Sequence, residues 1–254
     1  MEPDFERFVP FYDAEFAAYD ADIPLFLNFA QRTGSPVLEV GCGTGRVLVP
    51  LAEAGFHVTG IDVAAGMLAR ARARVQASGR GHHVHLVQAD VCHLPLTAAY
   101  ALIFMAANTF LHHASPEEQR HVLTVLGKRL RPGGLLILDV FNPDLRMLLE
   151  ADGRVELVKT WQEPHTGATV LKFQRVVVSP SAQVLDILYI YDRCYPDGRV
   201  ERTLAPLRLR YLWPQEAKML VEAVGLQVEA LYGSYDLDPI SDDAERLIVV
   251  ARRP

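Results

Sequence analysis

Short apolar runs alternate with amphipathic stretches through the middle of the chain. Five runs have the length and composition of buried strands, at residues 37–40, 56–61, 84–88, 101–105 and 135–140. The stretches between them are helical in pattern, and one begins with Ser115 as N-cap and Pro116 at the first helical position. Strands that alternate with helices predict a parallel sheet with helices on both faces and right-handed crossovers.

The pattern changes at both ends of this region. Residues 1–33 are predicted to form a helical cap, with breaks at Pro3, Pro10 and Pro24. After Pro143, four β-like runs separated by turn signals predict an antiparallel sheet inserted at residues 151–212; they cover residues 155–161, 169–178, 184–195 and 199–211. A helix at 214–224 and strands at 226–232 and 246–251 then extend the first sheet to seven strands, the last of them antiparallel.

The first strand runs directly into a loop with glycine at positions 41, 43 and 45, and the acidic Glu39 precedes it. Glycine adopts positive φ without a Cβ penalty, so this loop can turn sharply and bring the backbone amides of Gly41, Cys42 and Gly43 close to a ligand. Dinucleotide-binding loops of hydride-transfer enzymes place their third glycine one residue later. That position is Arg46, which disfavours a dinucleotide-dependent oxidoreductase.

An acidic residue followed by Gly-x-Gly-x-Gly resembles motif I of the class I S-adenosylmethionine (SAM)-dependent methyltransferases. Further features of that family follow, including the turn at residues 130–134 before the fifth strand. The resemblance implies that SAM is the cofactor and that Asp62, with Val63 beside it, binds the ribose hydroxyls. It also implies that Met67 packs on the adenine and that Ala89, Asp90 and Val91 bind the adenine amino group.

Each of these residues also has a structural interpretation. Asp62 could be a helix N-cap, Met67 could fill the core, and Asp90 could cap a turn. Their joint occurrence, at spacings that a βαβ repeat demands, favours the SAM site.

The resemblance also implies the architecture. We expect one domain over residues 1–254, with a Rossmann-like α/β core at 34–150 and 213–254. The insert leaves the fifth strand at the edge where ligands bind in open α/β sheets. We therefore expect the insert to roof the acceptor site, as in methyltransferases that act on small molecules.

The loop after the fourth strand reads Ala106-Ala107-Asn108-Thr109-Phe110. Family members that methylate adenine in nucleic acid carry two prolines there, and this chain has neither. A second departure is Ala101, where the family commonly has an acid. We expect Ala106 and Asn108 to contact the cofactor.

The reaction itself needs mainly a positioned acceptor, and a base only if that acceptor must lose a proton. Candidates for catalysis are His112 and Tyr12, and Tyr12 also resembles a tyrosine that related enzymes fold over the cofactor. The resemblance favours methyl transfer to nitrogen or oxygen of a small molecule. Tyr189 and Tyr191 in the insert could line the acceptor pocket or simply pack a small sheet.

Composition limits the alternatives. With 254 residues, of which 50% are hydrophobic, the chain can bury a substantial core. Its formal charge of −6 argues against nucleic acid as a partner, and no segment has a membrane-spanning pattern. The three scattered cysteines predict a reducing, cytoplasmic location. A homodimer is one option for the oligomeric state.

Two further interpretations bear on function. The histidines His82, His83 and His85 are close in sequence, with His83 and His85 on one face of a strand, but they lack the second ligand pair of a zinc site. We therefore predict no metal. A SAM-binding regulatory protein without transferase activity is the remaining alternative to an enzyme.

Overall fold

The computed structural model describes residues 4–151 and 153–254 and divides the chain into two compact units. One unit contains the N-terminal segment up to Tyr19 together with Asp144–Tyr211. The other contains Asp20–Pro143 and Leu212–Pro254. Residues 1–3, with the predicted break at Pro3, and residue 152 of the predicted insert lie outside the described residues.

The secondary structure elements are numbered along the chain. The helices are α1 (Val9–Glu15), α2 (Ile23–Thr33), α3 (Leu48–Glu53), α4 (Ala65–Ser78), α5 (Pro116–Arg129), α6 (Leu145–Ala151) and α7 (Pro214–Ala223). The strands are β1 (Val37–Val40), β2 (Val58–Asp62), β3 (Val84–Gln88), β4 (Tyr100–Met105), β5 (Leu130–Phe141), β6 (Val155–Gln162), β7 (Thr169–Ser179), β8 (Val184–Cys194), β9 (Val200–Arg210), β10 (Gln227–Tyr232) and β11 (Arg246–Arg252). None of the helices within the described ranges has the length and apolar character needed to span a membrane.

The larger unit is built on a seven-stranded sheet in the order β10-β11-β5-β4-β1-β2-β3. Strands β1 to β5 pair in parallel, whereas β11 lies antiparallel between β5 and β10. The predicted Rossmann-like seven-stranded sheet, with an antiparallel last strand and a separate antiparallel sheet after the fifth strand, is confirmed.

Burial explains why the central strands are mostly apolar. Every residue of β1 and β4 is buried, as expected for parallel strands that are covered by helices on both faces. Phe26 of α2 stacks on Phe104 of β4, with ring centroids 4.3 Å apart. At α5, Ser115 is the N-cap as predicted, and its Oγ accepts a hydrogen bond from Glu118 N at 3.1 Å.

Two features differ from the predictions. Strand β5 begins at Leu130, so it includes the predicted turn at residues 130–134. Only glycine fits at position 134, because the Cβ of any other residue would lie 2.9 Å from the carbonyl oxygens of Arg131 and Tyr100. Helix α6 follows Asp144 and was not predicted, since its seven residues are too few to establish a helical period.

The smaller unit contains an antiparallel sheet in the order β6-β7-β8-β9, and its strand ends agree with the four predicted runs to within about one residue.

The core of the smaller unit lies between α1 and this sheet. Phe11 stacks on Tyr191 with ring centroids 4.1 Å apart, and Tyr191 is 1% exposed. Tyr191 therefore has the packing role, the second of the two alternatives that the sequence left open.

A buried ion pair fixes the end of α1 within the smaller unit. Lys172 pairs with Glu15, and Tyr191 OH donates a hydrogen bond to the same carboxylate at 3.1 Å. The Lys172 ammonium also lies 3.7 Å from the centroid of the Tyr189 ring. Burial lowers the pKa of Lys172 and Glu15 opposes that effect, so the carboxylate is what allows a charged lysine there.

Candidate active site

The candidate site lies at the carboxyl ends of β1 and β4, where the strand order of the larger unit reverses. The chain leaves β1 towards β2 and β3 on one side, and β4 pairs with β1 on the other. Ligands of open α/β sheets bind in the crevice outside such a pair of strands. Two loops meet there, residues 41–47 after β1 and residues 106–115 after β4.

The glycine loop needs its glycines for two different reasons. Gly41, Gly43 and Gly45 have φ values of +72°, +53° and +81°, which L side chains rarely adopt. At Gly41 there is also no space, because a Cβ would lie 2.4 Å from Thr109 Cγ2 in the loop after β4. The two loops therefore touch at a point where only glycine fits.

The amides of this loop are used within the protein, contrary to our expectation that they would face a ligand. Ile61 O accepts hydrogen bonds from Gly41 N and Cys42 N, at 2.8 and 3.0 Å. Gly43 N donates to Asp62 Oδ2 at 2.8 Å. These bonds tie the loop to the end of β2. The loop can therefore contribute to a ligand site by letting a rigid backbone approach the ligand closely.

Asp62 connects the glycine loop to the turn that leads into α4. Its Oδ2 accepts from Gly43 N, and its Oδ1 accepts from Ala64 N at 2.9 Å. The N-cap residue of α4 is Ala64, so Asp62 is not the helix cap that the sequence left as an alternative. Each carboxylate oxygen can accept a second hydrogen bond, as the predicted ribose contact requires.

The predicted adenine contacts flank Asp62. Met67 is 5% exposed in α4, whereas Val63 is 45% exposed. Ala89 N donates to Asp62 O at 3.0 Å, which brings residues 89–91 beside the end of β2. Asp90 caps a short 3₁₀ helix and accepts from Cys92 N at 2.8 Å, so the structural role considered for Asp90 is observed, and its second oxygen lies near His93.

Glu39 is a buried carboxylate directly behind the glycine loop. It is 3% exposed, and burial raises its pKa while the nearby Arg46 opposes that rise. Its Oε2 has no hydrogen-bond partner within the described chain, and neither has Oγ1 of the buried Thr44. Buried polar atoms are normally bonded. A ligand with ammonium or hydroxyl donors, which SAM carries, would satisfy them, so the residues present fit this cofactor.

Arg46, the residue that breaks the dinucleotide pattern, has a defined place. Its Nη1 and Nη2 donate to the two carboxylate oxygens of Asp22, which lies just before α2 and is 0% exposed. This bidentate pair ties the start of α2 to the glycine loop. Sequence reasoning missed it, because the two residues are 24 positions apart and belong to different elements.

The loop after β4 contains the remaining candidates in the larger unit. Ala106 is buried, Asn108 adopts φ = +70°, and a 3₁₀ turn follows at Thr109–His112. Asn108 Oδ1 accepts from Phe141 N at 2.7 Å, which ties the loop to the end of β5. Asp139 of β5 also contacts this loop and was missed by the sequence analysis, although a single charged residue within an apolar strand was a usable signal.

The two candidates for catalysis have different environments. Burial lowers the pKa of His112 to about 4, and the neighbouring His113 contributes in the same direction. His112 is therefore neutral at pH 7 and can accept a hydrogen bond, but it holds a proton weakly. Tyr12 belongs to the smaller unit, where its ring stacks on Phe16 of the same segment with centroids 4.6 Å apart.

The histidines near β3 do not share the geometry that the sequence suggested. His83 lies in a 3₁₀ turn before β3, so the prediction that it shares a strand face with His85 is wrong. Its ring packs instead against His57 and His82, with centroid distances of 4.9 and 4.2 Å. Within the part of the chain that the structure describes, no group of His, Cys, Asp and Glu could hold a metal ion.

Comparison with known proteins identifies the same region. A family model described as a methyltransferase domain matches residues 37–134. A cypemycin N-terminal methyltransferase from a Streptomyces species is 25% identical over 228 residues, which cover 87% of this chain and 84% of the relative. Other curated relatives are matched over about half of their own length.

Solved structures share the fold over nearly the whole chain. The CcbJ methyltransferase from Streptomyces caelestis superposes with a TM-score of 0.83 at 25% identity, covering 99% of this chain and 97% of that one. The sugar N-methyltransferase KedS8 from a Streptoalloteichus species has a TM-score of 0.74 at 20% identity, over 96% of this chain and 93% of that one, and at this identity it shows the fold alone.

The matched domain covers both loops of the crevice, and the fold agrees beyond it. These findings support a class I SAM-dependent methyltransferase, an enzyme with SAM as its cofactor.

Proposed function

We propose that this enzyme transfers the methyl group of SAM to a nitrogen or oxygen atom of a small-molecule or peptide acceptor, and that an amine nitrogen is the favoured target. The observation that carries the proposal is the contact between Gly41 and Thr109 at the β1–β4 crevice. It brings the cofactor loop and the loop after β4 together at one point, so that a donor bound to the first loop lies beside the second.

Named relatives support nitrogen as the target. The cypemycin enzyme is an N-terminal methyltransferase by name and aligns with 87% of this chain, which makes it the more informative comparison. KedS8 is a sugar N-methyltransferase by name, but its likeness extends only to the fold. An amine on a small molecule or on a peptide terminus is the acceptor class that both names share.

In this proposal the residues of the larger unit divide the work. One group binds and orients SAM: Glu39, Gly41, Cys42, Gly43, Asp62, Val63, Met67, Ala89, Asp90 and Val91. In the loop after β4, Ala106 and Asn108 contact the cofactor and His112 faces the methyl group. Tyr12 stays a prediction for both roles, as the sequence analysis left it.

The chemistry requires little from these side chains. SAM supplies a sulfonium leaving group when bound, so the protein contributes orientation and exclusion of water. Holding two reactants in line can lower a barrier by about 7 to 11 kcal/mol. An amine acceptor must be neutral to react, and a neutral His112 could accept a hydrogen bond from it without carrying the proton at pH 7.

The three cysteines support a reducing compartment. Cys42 is buried and Cys92 and Cys194 are partly buried, all as free thiols. Burial raises the pKa of Cys42 well above its usual range, so this thiol is unreactive. We propose the cytoplasm as the location, which reporter fusions to each terminus would test.

The test has two stages. Calorimetry with SAM, S-adenosylhomocysteine and NADH should show binding of the two sulfur nucleosides and none of NADH. Radiolabelled SAM is then incubated with three acceptor panels: amino sugars, peptides with a free N-terminus, and phenols. Label transfer to either amine panel supports the proposal. Transfer only to phenols would exclude the amine preference, and binding of NADH alone would exclude the proposal.

A further inference from the structure

Two consecutive residues without glycine's freedom adopt left-handed backbone conformations directly after β4. Ala107 has φ = +49° and Asn108 has φ = +70°. L residues occupy this region rarely, and such residues persist only where surrounding contacts determine them. The turn lies at the crevice between β1 and β4, and contacts from β5 hold it there.

Asp139 of β5 binds both residues of the turn. Its side-chain Oδ2 accepts from Ala107 N at 2.9 Å, and its backbone oxygen accepts from Asn108 N at 3.0 Å. Asp139 is itself 0% exposed. The two bonds hold successive amides of the turn towards β5, as the left-handed backbone requires.

The buried carboxylate of Asp139 is compensated from the opposite side. Arg246 of β11 donates to Oδ1 from Nε at 2.9 Å and also from Nη2. Tyr235 OH lies 3.3 Å from each carboxylate oxygen. Arg246 therefore holds Asp139 through Oδ1, while Oδ2, which Tyr235 also approaches, accepts the hydrogen bond from the turn.

The Ala107–Asn108 turn determines the position of Thr109. Thr109 N and Oγ1 both donate to Ala106 O, at 3.1 and 2.7 Å, which fixes the side chain across the start of the loop. Its Cγ2 occupies the position that a side chain at residue 41 would need. A shift of the Ala107–Asn108 turn would therefore move the group that packs against the cofactor loop.

We propose that Asp139 is a positioning residue for the SAM site: by holding Ala107 and Asn108 in the left-handed turn, it seats Thr109 against Gly41. The inference rests on the proposed function, because it takes the glycine loop as the place where SAM binds. Asp139 acts through the turn and touches neither donor nor acceptor.

The test uses glycine to separate this role from simple structural support. Asp139→Ala should weaken SAM binding about tenfold in calorimetry, since the turn loses the bond that fixes it. Ala107→Gly alone should bind SAM as the wild type does. The double variant should recover at least about threefold of the loss, because glycine adopts the left-handed backbone without support. If Asp139→Ala weakened SAM binding only by breaking the buried charge pair with Arg246, Ala107→Gly would not restore the affinity.

Hydrogen exchange gives a readout that does not depend on SAM. Amides of residues 107–111 should exchange faster in Asp139→Ala, while those of β2 stay protected. If that variant does not fold, Ala107→Val replaces it: a β-branched residue opposes the left-handed turn and leaves Asp139 paired, so the same loss of SAM affinity is expected.

The outcomes separate the two hypotheses. Unchanged exchange at 107–111, or a double variant no better than Asp139→Ala, would overturn the positioning role. A wild-type protein that binds no SAM would overturn the proposed function, and the exchange experiment would still decide whether Asp139 fixes the turn.

Discussion

Arg46 in the glycine loop and Asp22 before α2 form a two-bonded ion pair, with Nη1–Oδ1 and Nη2–Oδ2 distances of 2.5 and 2.6 Å. The Asp22 side chain is fully buried and that of Arg46 is 11% exposed. The pair therefore joins the N-terminal helix of the larger unit to the glycine loop, in a place where both charges are largely removed from solvent.

Removing one partner of this pair should destabilise the fold strongly. Asp22→Ala leaves the Arg46 guanidinium buried without its carboxylate, which typically costs about 3 to 5 kcal/mol in the free energy of unfolding. Urea denaturation followed by circular dichroism measures it. The matched control is Asp186→Ala, which removes an exposed pair with Arg208 and should cost at most about 1 kcal/mol. Equal losses in the two variants would show that the buried pair has no special weight.

Gly41 should not tolerate even one added methyl group. In Gly41→Ala the new Cβ would lie 2.4 Å from Thr109 Cγ2, so one of the two loops must move. We expect SAM affinity in calorimetry to fall at least about tenfold. Gly55→Ala is the matched control, since Gly55 also has positive φ, at +90°, but has open space around its Cβ position. If both variants bind SAM equally well, the contact with Thr109 does not shape the site.

The sequence predicted the elements whose signals are local. The glycine loop, the cap at Ser115 and the four strands of the smaller unit follow from residue type and spacing over a few positions. The pair Asp22–Arg46 could not be predicted in this way, because it depends on where α2 lies relative to the loop. The same holds for Asp139, whose partner Arg246 is 107 residues away.

Conformation also escaped prediction where it contradicts local preference. Asn108 tolerates the left-handed region, but Ala107 disfavours it, so the local sequence does not indicate two left-handed residues in a row and tertiary contacts impose them here. The hydrogen-bond partners of the glycine-loop amides were missed for a related reason. A glycine pattern reports backbone freedom, whereas the acceptors that Gly41, Cys42 and Gly43 find on Ile61 and Asp62 depend on the pairing of β1 with β2.

Asp62 should contribute to SAM affinity through the ribose. Asp62→Ala removes the carboxylate and also its bonds to Gly43 and Ala64, so lower affinity alone would not identify the ribose contact. The comparison is between SAM and an analogue that lacks both ribose hydroxyls, each titrated into wild type and variant. We expect the substitution to weaken SAM by at least about tenfold more than the analogue. An equal effect on both ligands would assign Asp62 to loop structure only.

His112 should make the protein sensitive to acid. Its pKa in the folded state is lowered to about 4, whereas the unfolded value is near 6.5. Below pH 6.5 the unfolded chain therefore binds more protons at this site than the folded protein does. The free energy of unfolding is therefore unaffected by His112 above pH 6.5 and decreases as the pH falls towards 4. The total loss is about 3 kcal/mol at the acid end.

Urea unfolding at pH 7 and pH 5 tests this effect on His112→Gln, which keeps a polar side chain but cannot titrate. Wild type should lose about 2 kcal/mol more than the variant between the two pH values. The exposed His165 provides the control, because His165→Gln should follow wild type.

The His112→Gln variant also tests the catalytic hypothesis once an acceptor is found. If neutral His112 accepts a hydrogen bond from the acceptor, turnover at pH 7 falls in His112→Gln and the acidic limb of the pH profile disappears. Unchanged turnover, with the pH-dependent stability difference intact, would make His112 a structural histidine.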